Sequence, residues 1–363
     1  VNDKVRDPIE SGLRRPRPVS ENAKRAFAEA LPVLVEQINE KFAVRSRIVE
    51  PRAAEELAFL YDAHAHFGEM LRAVFEFSLY RHMVSEFGWY VSVLASRGLD
   101  EAYFREMVNG WIIAVHSIIK PPESDELSAV LEWLSANLGA IYRATRRSGP
   151  ELTEDARGFL DLVLAKSRRG AVDFAFRLRR RDYDIERVYA EVVLPVLARV
   201  GQLWQANEIT VSDEHAATEI CRYVIMRLVD ELPVESPLGL RALVACVPGE
   251  QHDIPVQLAA GLLEAGGWDV LYLGRSVPED DLLKIVIESQ PAVCVFSVSL
   301  IGRLPAARDM FAKIRGHGAE TAIIAGGHAA EIADDALSPY VDAIVTRLEE
   351  VGGVALRLAG GHA

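Results

Sequence analysis

Residues 242–255 read ALVACVPGEQHDIP, and this stretch decides the fold. The unbroken apolar run 242–247 has the length and composition of a strand buried on both faces, and Pro248-Gly249 punctuates its end. A helical pattern then runs towards Gly266. Four further short apolar runs follow at 269–273, 292–298, 321–325 and 343–345, separated by helical stretches and by Gly or Pro. Strands alternating with helices predict βαβ units, right-handed crossovers and a parallel sheet covered on both faces. The expected domain, 240–360, is a doubly wound, flavodoxin-like parallel sheet, whose ligands sit at the carboxyl ends of the strands near the switch in strand order.

Upstream the grammar is helical. The block 151–233 has apolar faces such as Val188, Val192, Leu194, Leu197, Val200 and Trp204, and is the size of a four-helix bundle. Before it, 21–147 reads as an all-helical domain: Leu57, Leu60, Tyr61, His64, Phe67, Leu71 and Phe75 share one helical face, and Phe104, Met107, Val108, Trp111 and Val115 another. Residues 146–150 mix charge, Gly and Pro as a linker does, and 1–20 read as a flexible arm. The fold class is α + α/β, multidomain. The sequence stops soon after its last strand signal, so no output domain is expected after the sheet.

Composition narrows the partners. No apolar run approaches the ~20 residues needed to cross a bilayer, no secretory signal opens the sequence, and a cytoplasmic protein with no membrane partner is expected. A net charge of −13 argues against DNA, and the basic clusters Arg143/Arg146/Arg147 and Arg177/Arg179/Arg180/Arg181 read as solvated helix ends and linkers. Cys221, Cys246 and Cys294 have no CxxC partner and read as small core residues, which leaves no disulfide or zinc framework.

The chemistry lies at the strand ends. His252 is the one imidazole on the loop after the first strand, with Glu250 two residues earlier. A lone histidine there is ordinarily a polar loop residue, but a carboxylate on one ring nitrogen fixes the tautomer that lets the other bind a metal. The third strand ends at Phe296-Ser297-Val298-Ser299-Leu300 and the fourth at Ala325-Gly326-Gly327-His328. Together these segments resemble the cobalamin-binding domain of methionine synthase, methylmalonyl-type mutases and corrinoid carriers, with its Asp-x-His-x-x-Gly, Ser-x-Leu and Gly-Gly signatures. Glu250 stands where that family has aspartate, Pro255 where it has glycine and Ser299 where leucine is common. The resemblance implies that His252 is the lower cobalt ligand and Glu250 its partner. Ser297 is then a donor near the nucleotide tail, Gly326 and Gly327 a close-approach site, and Asp253 and Ser299 further cofactor contacts.

Trp204, followed after nine residues by Glu214-His215, completes the pattern. Alone, Trp204 reads as a core aromatic and His215 as a capping or solvated residue, and Thr210 with Asp213 reads as a capping-box helix start. The spacing resembles adenosylcobalamin-dependent photoreceptors, the CarH-like light-sensing family. The resemblance implies a non-enzymatic sensor in which Trp204 shields the adenosyl group and Glu214 contacts it. After light breaks the cobalt–carbon bond, His215 becomes the upper cobalt ligand, giving a bis-His adduct. The implied output is a light-dependent change of homo-oligomer or of an unknown downstream partner. The alternative is a corrinoid carrier of a methyltransferase system, which would tolerate loss of His215; a third class is a cobalamin-level or redox regulator indifferent to light.

The N-terminal helical domain shows no helix-turn-helix signal. It is dense in aromatics and histidines, among them Tyr61, His64, His66, Phe77, Tyr80, His82 and His116, with Phe87-Gly88-Trp89-Tyr90 beside Arg81. Most of these read as ordinary core and surface residues. The overall architecture resembles the photocobilins, which add a globin-like domain holding biliverdin; haem, on His64, His66, His82 or His116, is the competing occupant. No cysteine lies there, so a bilin would be non-covalent.

Overall fold

A computed structural model of the chain describes residues 16–48, 53–144, 152–317 and 320–360. The linker expected at 146–150 lies outside them. The chain divides into two units, Val1–Ser148 and Gly149–Ala363. Among the described residues no helix is long and apolar enough to cross a membrane.

The first unit has helices α1 (Glu21–Ile48), α2 (Ala54–Glu76), α3 (Met83–Ala95), α4 (Glu101–Ile118) and α5 (Glu123–Ala144). Its core is aromatic: Phe27, Phe67, Phe75, Phe87, Phe104 and Trp111 are all fully buried. Phe67 lies at its centre, with Phe87, Tyr90 and Trp111 within 5.4–5.6 Å between ring centroids. Of the arm expected at 1–20, residues 1–15 lie outside the described residues, whereas Val19 and Ser20 are tied to the helices. Val19 is buried and its N–H donates to Tyr80 Oη at 2.9 Å, and Ser20 N donates to Glu126 Oε2 at 2.6 Å. One apolar side chain and a helix start anchor this segment.

The second unit opens with a bundle. Thr153 caps α6 (Glu154–Leu164) by accepting from Ala156 N, and α7 (Arg168–Arg179) follows. The third rod is α8 (Ile185–Val188), a π-helical turn at Tyr189–Val193, and α9 (Leu194–Gln205); α10 (Val211–Val229) is the fourth. The π-turn inserts a residue just before Pro195, which has no N–H to give an α-helical ladder. The apolar face consequently slips by one position. Val188, Val192, Val193, Val196, Val200 and Leu203 are buried, while Leu194, expected on that face, is exposed.

The rest of the unit is a five-stranded parallel sheet in the order β2-β1-β3-β4-β5. Its strands are β1 (Arg241–Cys246), β2 (Asp269–Gly274), β3 (Val293–Ser297), β4 (Ala322–Gly326) and β5 (Ala343–Val345). The connecting helices are α11 (Ile254–Ala265), α12 (Glu279–Ser289), α13 (Leu304–Gly316), the short α14 (His328–Ile332) and α15 (Asp334–Leu337); α16 (Val351–Gly360) follows β5. This is the flavodoxin-like order, with its switch point between β1 and β3. Registers Cys246↔Ser297, Ser297↔Gly326 and Gly326↔Val345 line those residues up at the carboxyl edge. Bundle and sheet share one core: Ile254 and Leu258 of α11 are buried with Ile220, Val224, Ile225 and Leu228 of α10.

Candidate cofactor site

The β1–α11 loop leaves the sheet at the switch point, and a buried carboxylate folds it. Glu250 is fully buried. Its Oε1 accepts from Gln251 N at 2.9 Å, His252 N at 3.0 Å and His252 Nδ1 at 2.6 Å. Its Oε2 accepts from Ser299 N at 2.8 Å and Leu300 N at 3.0 Å, in the loop after β3. One side chain thus ties together the two loops that flank the switch point. Burial pushes the Glu250 carboxyl up, but the hydrogen bonds from His252 and Leu300 and the His252 charge prevail and hold it at about 2.

That ionised carboxylate accepts only, so the proton on His252 sits on Nδ1 and the lone pair of the neutral ring sits on Nε2. The imidazole is 58% exposed at the carboxyl edge of the sheet. The Glu250 hydrogen bond raises the His252 pKa; burial opposes this, and the charges of Glu250, Glu214 and Asp253 add to the rise. A neutral nitrogen facing outward, its ring oriented by a buried carboxylate, is the donor chemistry that an imidazole-ligated metal requires.

Ser297 is buried at the end of β3, with its Oγ 3.4 Å from Ser299 Oγ. Gly327 has φ +102°, and a Cβ there would meet Val298 O at 2.6 Å and Ser299 Oγ at 3.2 Å. A Cβ on Gly326 would meet Val345 O at 3.2 Å. Gly327 is therefore required by the meeting of strand ends, whatever ligand approaches it, and Gly326 leaves little room for a side chain. Asp253 turns the other way, into an ion pair with Arg222 of α10, Nη2 to Oδ1 2.7 Å, with Arg275 Nε 3.8 Å from Oδ2.

On the bundle side, Thr210 and Asp213 form a complete capping box at the start of α10, and Lys166 Nζ lies 2.7 Å from Asp213 Oδ1. Glu214 Oε2 is 2.5 Å from His215 Nδ1, and Glu214 Oε1 accepts from Thr218 Oγ1 at 2.8 Å. The His215 ring is 73% exposed. Trp204 is half-buried near the end of α9. The structure therefore brings Glu214 within electrostatic reach of His252 and pairs it with His215. Sequence reasoning missed Arg222 and Arg275; neither carries a local signal, because both act on Asp253 across the fold.

In the first unit the aromatics expected around a chromophore pack largely against one another. Phe87 and Tyr90 are buried and stack at 6.1 Å, while Trp89 on the opposite side of α3 is half exposed, as a helical repeat demands. His64 is buried with both nitrogens engaged, Nδ1 with Asn39 Oδ1 at 2.8 Å and Nε2 with Tyr103 Oη at 3.0 Å, and burial lowers its pKa to about 3. It is a core histidine, which removes it from the haem ligands considered above. His66 Nδ1 lies 2.7 Å from Asp62 O of its own helix, and His116 is exposed beside Asp125.

Comparison with known proteins assigns the second unit its ligand. Residues 240–356 match the family described as B12 binding domain, and residues 156–228 match a second family of the same description. This half of the chain is a corrinoid-binding unit, bundle and sheet together. The HTH-type transcriptional repressor CarH of Myxococcus xanthus is 35% identical over 107 residues, 29% of this chain and 34% of the relative. The HTH-type transcriptional repressor CarA of the same organism is 29% identical over 114 residues, 31% of this chain and 38% of the relative. The matches thus span little more than a third of each curated relative. Among solved structures, the monomethylamine corrinoid protein of Methanosarcina barkeri is 16% identical at a TM-score of 0.48, covering 56% of this chain and 98% of that one.

Proposed function

We propose that this chain is a non-enzymatic, cytoplasmic light sensor that binds adenosylcobalamin in its second unit and converts illumination into a change of oligomer or partner. One observation carries the reading: Glu214 hydrogen-bonds His215 at 2.5 Å, and its charge also acts on His252. Two imidazoles, one from the bundle and one from the sheet, thus have the same glutamate as an electrostatic neighbour. Bound adenosylcobalamin supplies a cobalt–carbon bond that visible light breaks.

The remaining roles belong to the chain. His252, oriented by Glu250, would hold the cobalt from the sheet; Ser297, Ser299, Gly326 and Gly327 would receive the nucleotide tail, with Asp253 at its margin. Trp204 would cover the adenosyl group, Glu214 would contact it, and His215 would be the second imidazole available to the cobalt after illumination. A tie formed between bundle and sheet would favour one packing of the two over another, the usual way in which a local event becomes an assembly signal. Biliverdin in the first unit is the second half of the proposal, supported by aromatic and basic density in the sequence and by the resemblance in architecture.

The test is an absorption spectrum of purified protein with adenosylcobalamin, in the dark and after green light, for the wild type and His215→Ala. The sensor gives a stable photoproduct that His215→Ala lacks, together with a shift in elution volume on illumination. A corrinoid carrier keeps its spectroscopy and its methyl exchange in His215→Ala, and a light-indifferent regulator elutes identically before and after illumination. Adding biliverdin decides the first unit: without a far-red band that half of the proposal is withdrawn. The expectation that DNA is no partner rested on net charge, and the names of the two relatives count against it. A duplex-DNA mobility shift in dark and light belongs to the same experiment.

A further inference from the structure

Bundle and sheet touch along α10 and α11. Gly261 faces Val229, where an added Cβ would lie 2.4 Å from Val229 Cγ1, so the C-terminal end of α10 rests closely on α11. About two turns towards the N-terminus, Arg222 reaches across the seam. Its Nη2 donates to Asp253 Oδ1 at 2.7 Å and its Nη1 to Gln257 Oε1 at 3.3 Å. The two side chains are largely desolvated, Arg222 at 16% and Asp253 at 9% exposed. Two turns further on, the start of α10 is open to solvent and carries Glu214 and His215. On the other side of the seam, Asp253 is the residue after His252.

We propose that Arg222 is a positioning residue. By gripping Asp253 it fixes the His252 loop to the helix that carries Glu214 and His215, and so sets how far apart the two imidazole-bearing segments stand. This rests on the cobalamin reading given above. The physical reason is the cost of an unpaired buried carboxylate. Without Arg222, Asp253 gains water only if the loop swings outward, and His252 swings with it. Arg275, at 3.8 Å and half exposed, cannot replace a 2.7 Å hydrogen-bonded pair.

The test uses the full chain, with Arg222→Met, Asp253→Asn and the double variant, and two readouts. The first is amide exchange of the apoprotein at Gln251, His252 and Asp253. The second is the dissociation constant and visible spectrum of the protein with hydroxocobalamin in the dark. Each single variant is expected to speed exchange at those amides about tenfold and to weaken hydroxocobalamin by about 10- to 100-fold, with loss of the histidine-ligated spectrum. The double variant is expected to be no worse than either single one, as a shared interaction requires. Wild-type exchange and affinity in both singles, or losses that simply multiply in the double, overturn the proposal. Asp253→Asn keeps the side-chain shape and serves if Arg222→Met fails to fold. If the wild type takes up no hydroxocobalamin, the cofactor reading fails instead, and the exchange data still decide whether Arg222 holds the loop.

Discussion

Replacing Glu250 with glutamine should unmake the loop that presents His252, and the size of the effect follows from the hydrogen bonds. Five donors converge on this carboxylate: Gln251 N, His252 N and His252 Nδ1 on one oxygen, and Ser299 N and Leu300 N on the other. A glutamine has one accepting oxygen and one donating NH2, so in either orientation at least two buried N–H groups face a donor. At about 1–2 kcal/mol for each orphaned group, the loss is about 3 kcal/mol. The pKa leads to the same place by another route. A carboxyl held at about 2 against its ordinary 4.5 represents about 3 kcal/mol of stability. Because the folded value is depressed, this stability is fully present above pH 4.5 and drains away as pH falls towards 2. The assay is urea unfolding of the apoprotein at pH 7, 4 and 3, following the transition of the second unit. Glu250→Gln should be less stable by about 3 kcal/mol at pH 7, and the gap should shrink by half or more at pH 3, where the unfolded chain has taken up the proton that the folded carboxylate still refuses. A gap below about 0.5 kcal/mol at pH 7, or one undiminished at pH 3, would refute the reasoning.

Three further expectations follow. Gly327→Ala, which combines φ +102° with a Cβ only 2.6 Å from the carbonyl of Val298, should cost about 2–3 kcal/mol in the same unfolding assay, and a neutral result would show that the strand ends can separate. The first unit should weaken by about 1.4 kcal/mol per pH unit as pH falls below 6.5, since His64 stays neutral in its core down to about 3 while the unfolded chain takes up the proton; a flat profile between pH 6.5 and 5 would contradict the buried network. In the apoprotein, Glu250→Gln should move the His252 titration, followed by NMR of the ring protons, to lower pH, because the hydrogen bond that raises it is the first thing lost.

Much of this was legible in the sequence because it is local. The apolar runs marked five strands, and the Gly and Pro between them marked the loops, so the parallel sheet and its ligand edge could be read before any coordinates. Thr210 with Asp213 announced the start of α10 for the same reason. What escaped was non-local or out of register. The π-turn before Pro195 shifts the face of the third rod by one residue, and no 3.6-residue repeat contains such an insertion. Glu250 was legible as the partner of His252, but its grip on Ser299 and Leu300 joins loops nearly 50 positions apart. Arg222 was invisible for that reason too. In the first unit the sequence left core and chromophore pocket undecided, because aromatic residues serve a dry core and a ligand cavity equally well.

The two histidines are wired alike and held unlike, and that difference bears on sensor against carrier. In each, Nδ1 meets a neighbouring glutamate, at 2.6 Å for His252 and 2.5 Å for His215, which leaves Nε2 pointing away from the carboxylate. Glu250, however, is fully buried under five donors and cannot turn without orphaning them, so of the two imidazoles His252 is the firmly held one. Glu214 is 27% exposed and shares itself between His215 and Thr218 on the first turns of a helix open to solvent. Rotating its side chain costs an exposed pair, worth about 1 kcal/mol or less. Under the carrier reading, a second imidazole poised in this way would have no role in handing on an upper group. Under the proposed sensor reading, one ligand would have to stay and one would have to be released to arrive, and the contrast between a locked glutamate and a loose one suits that division.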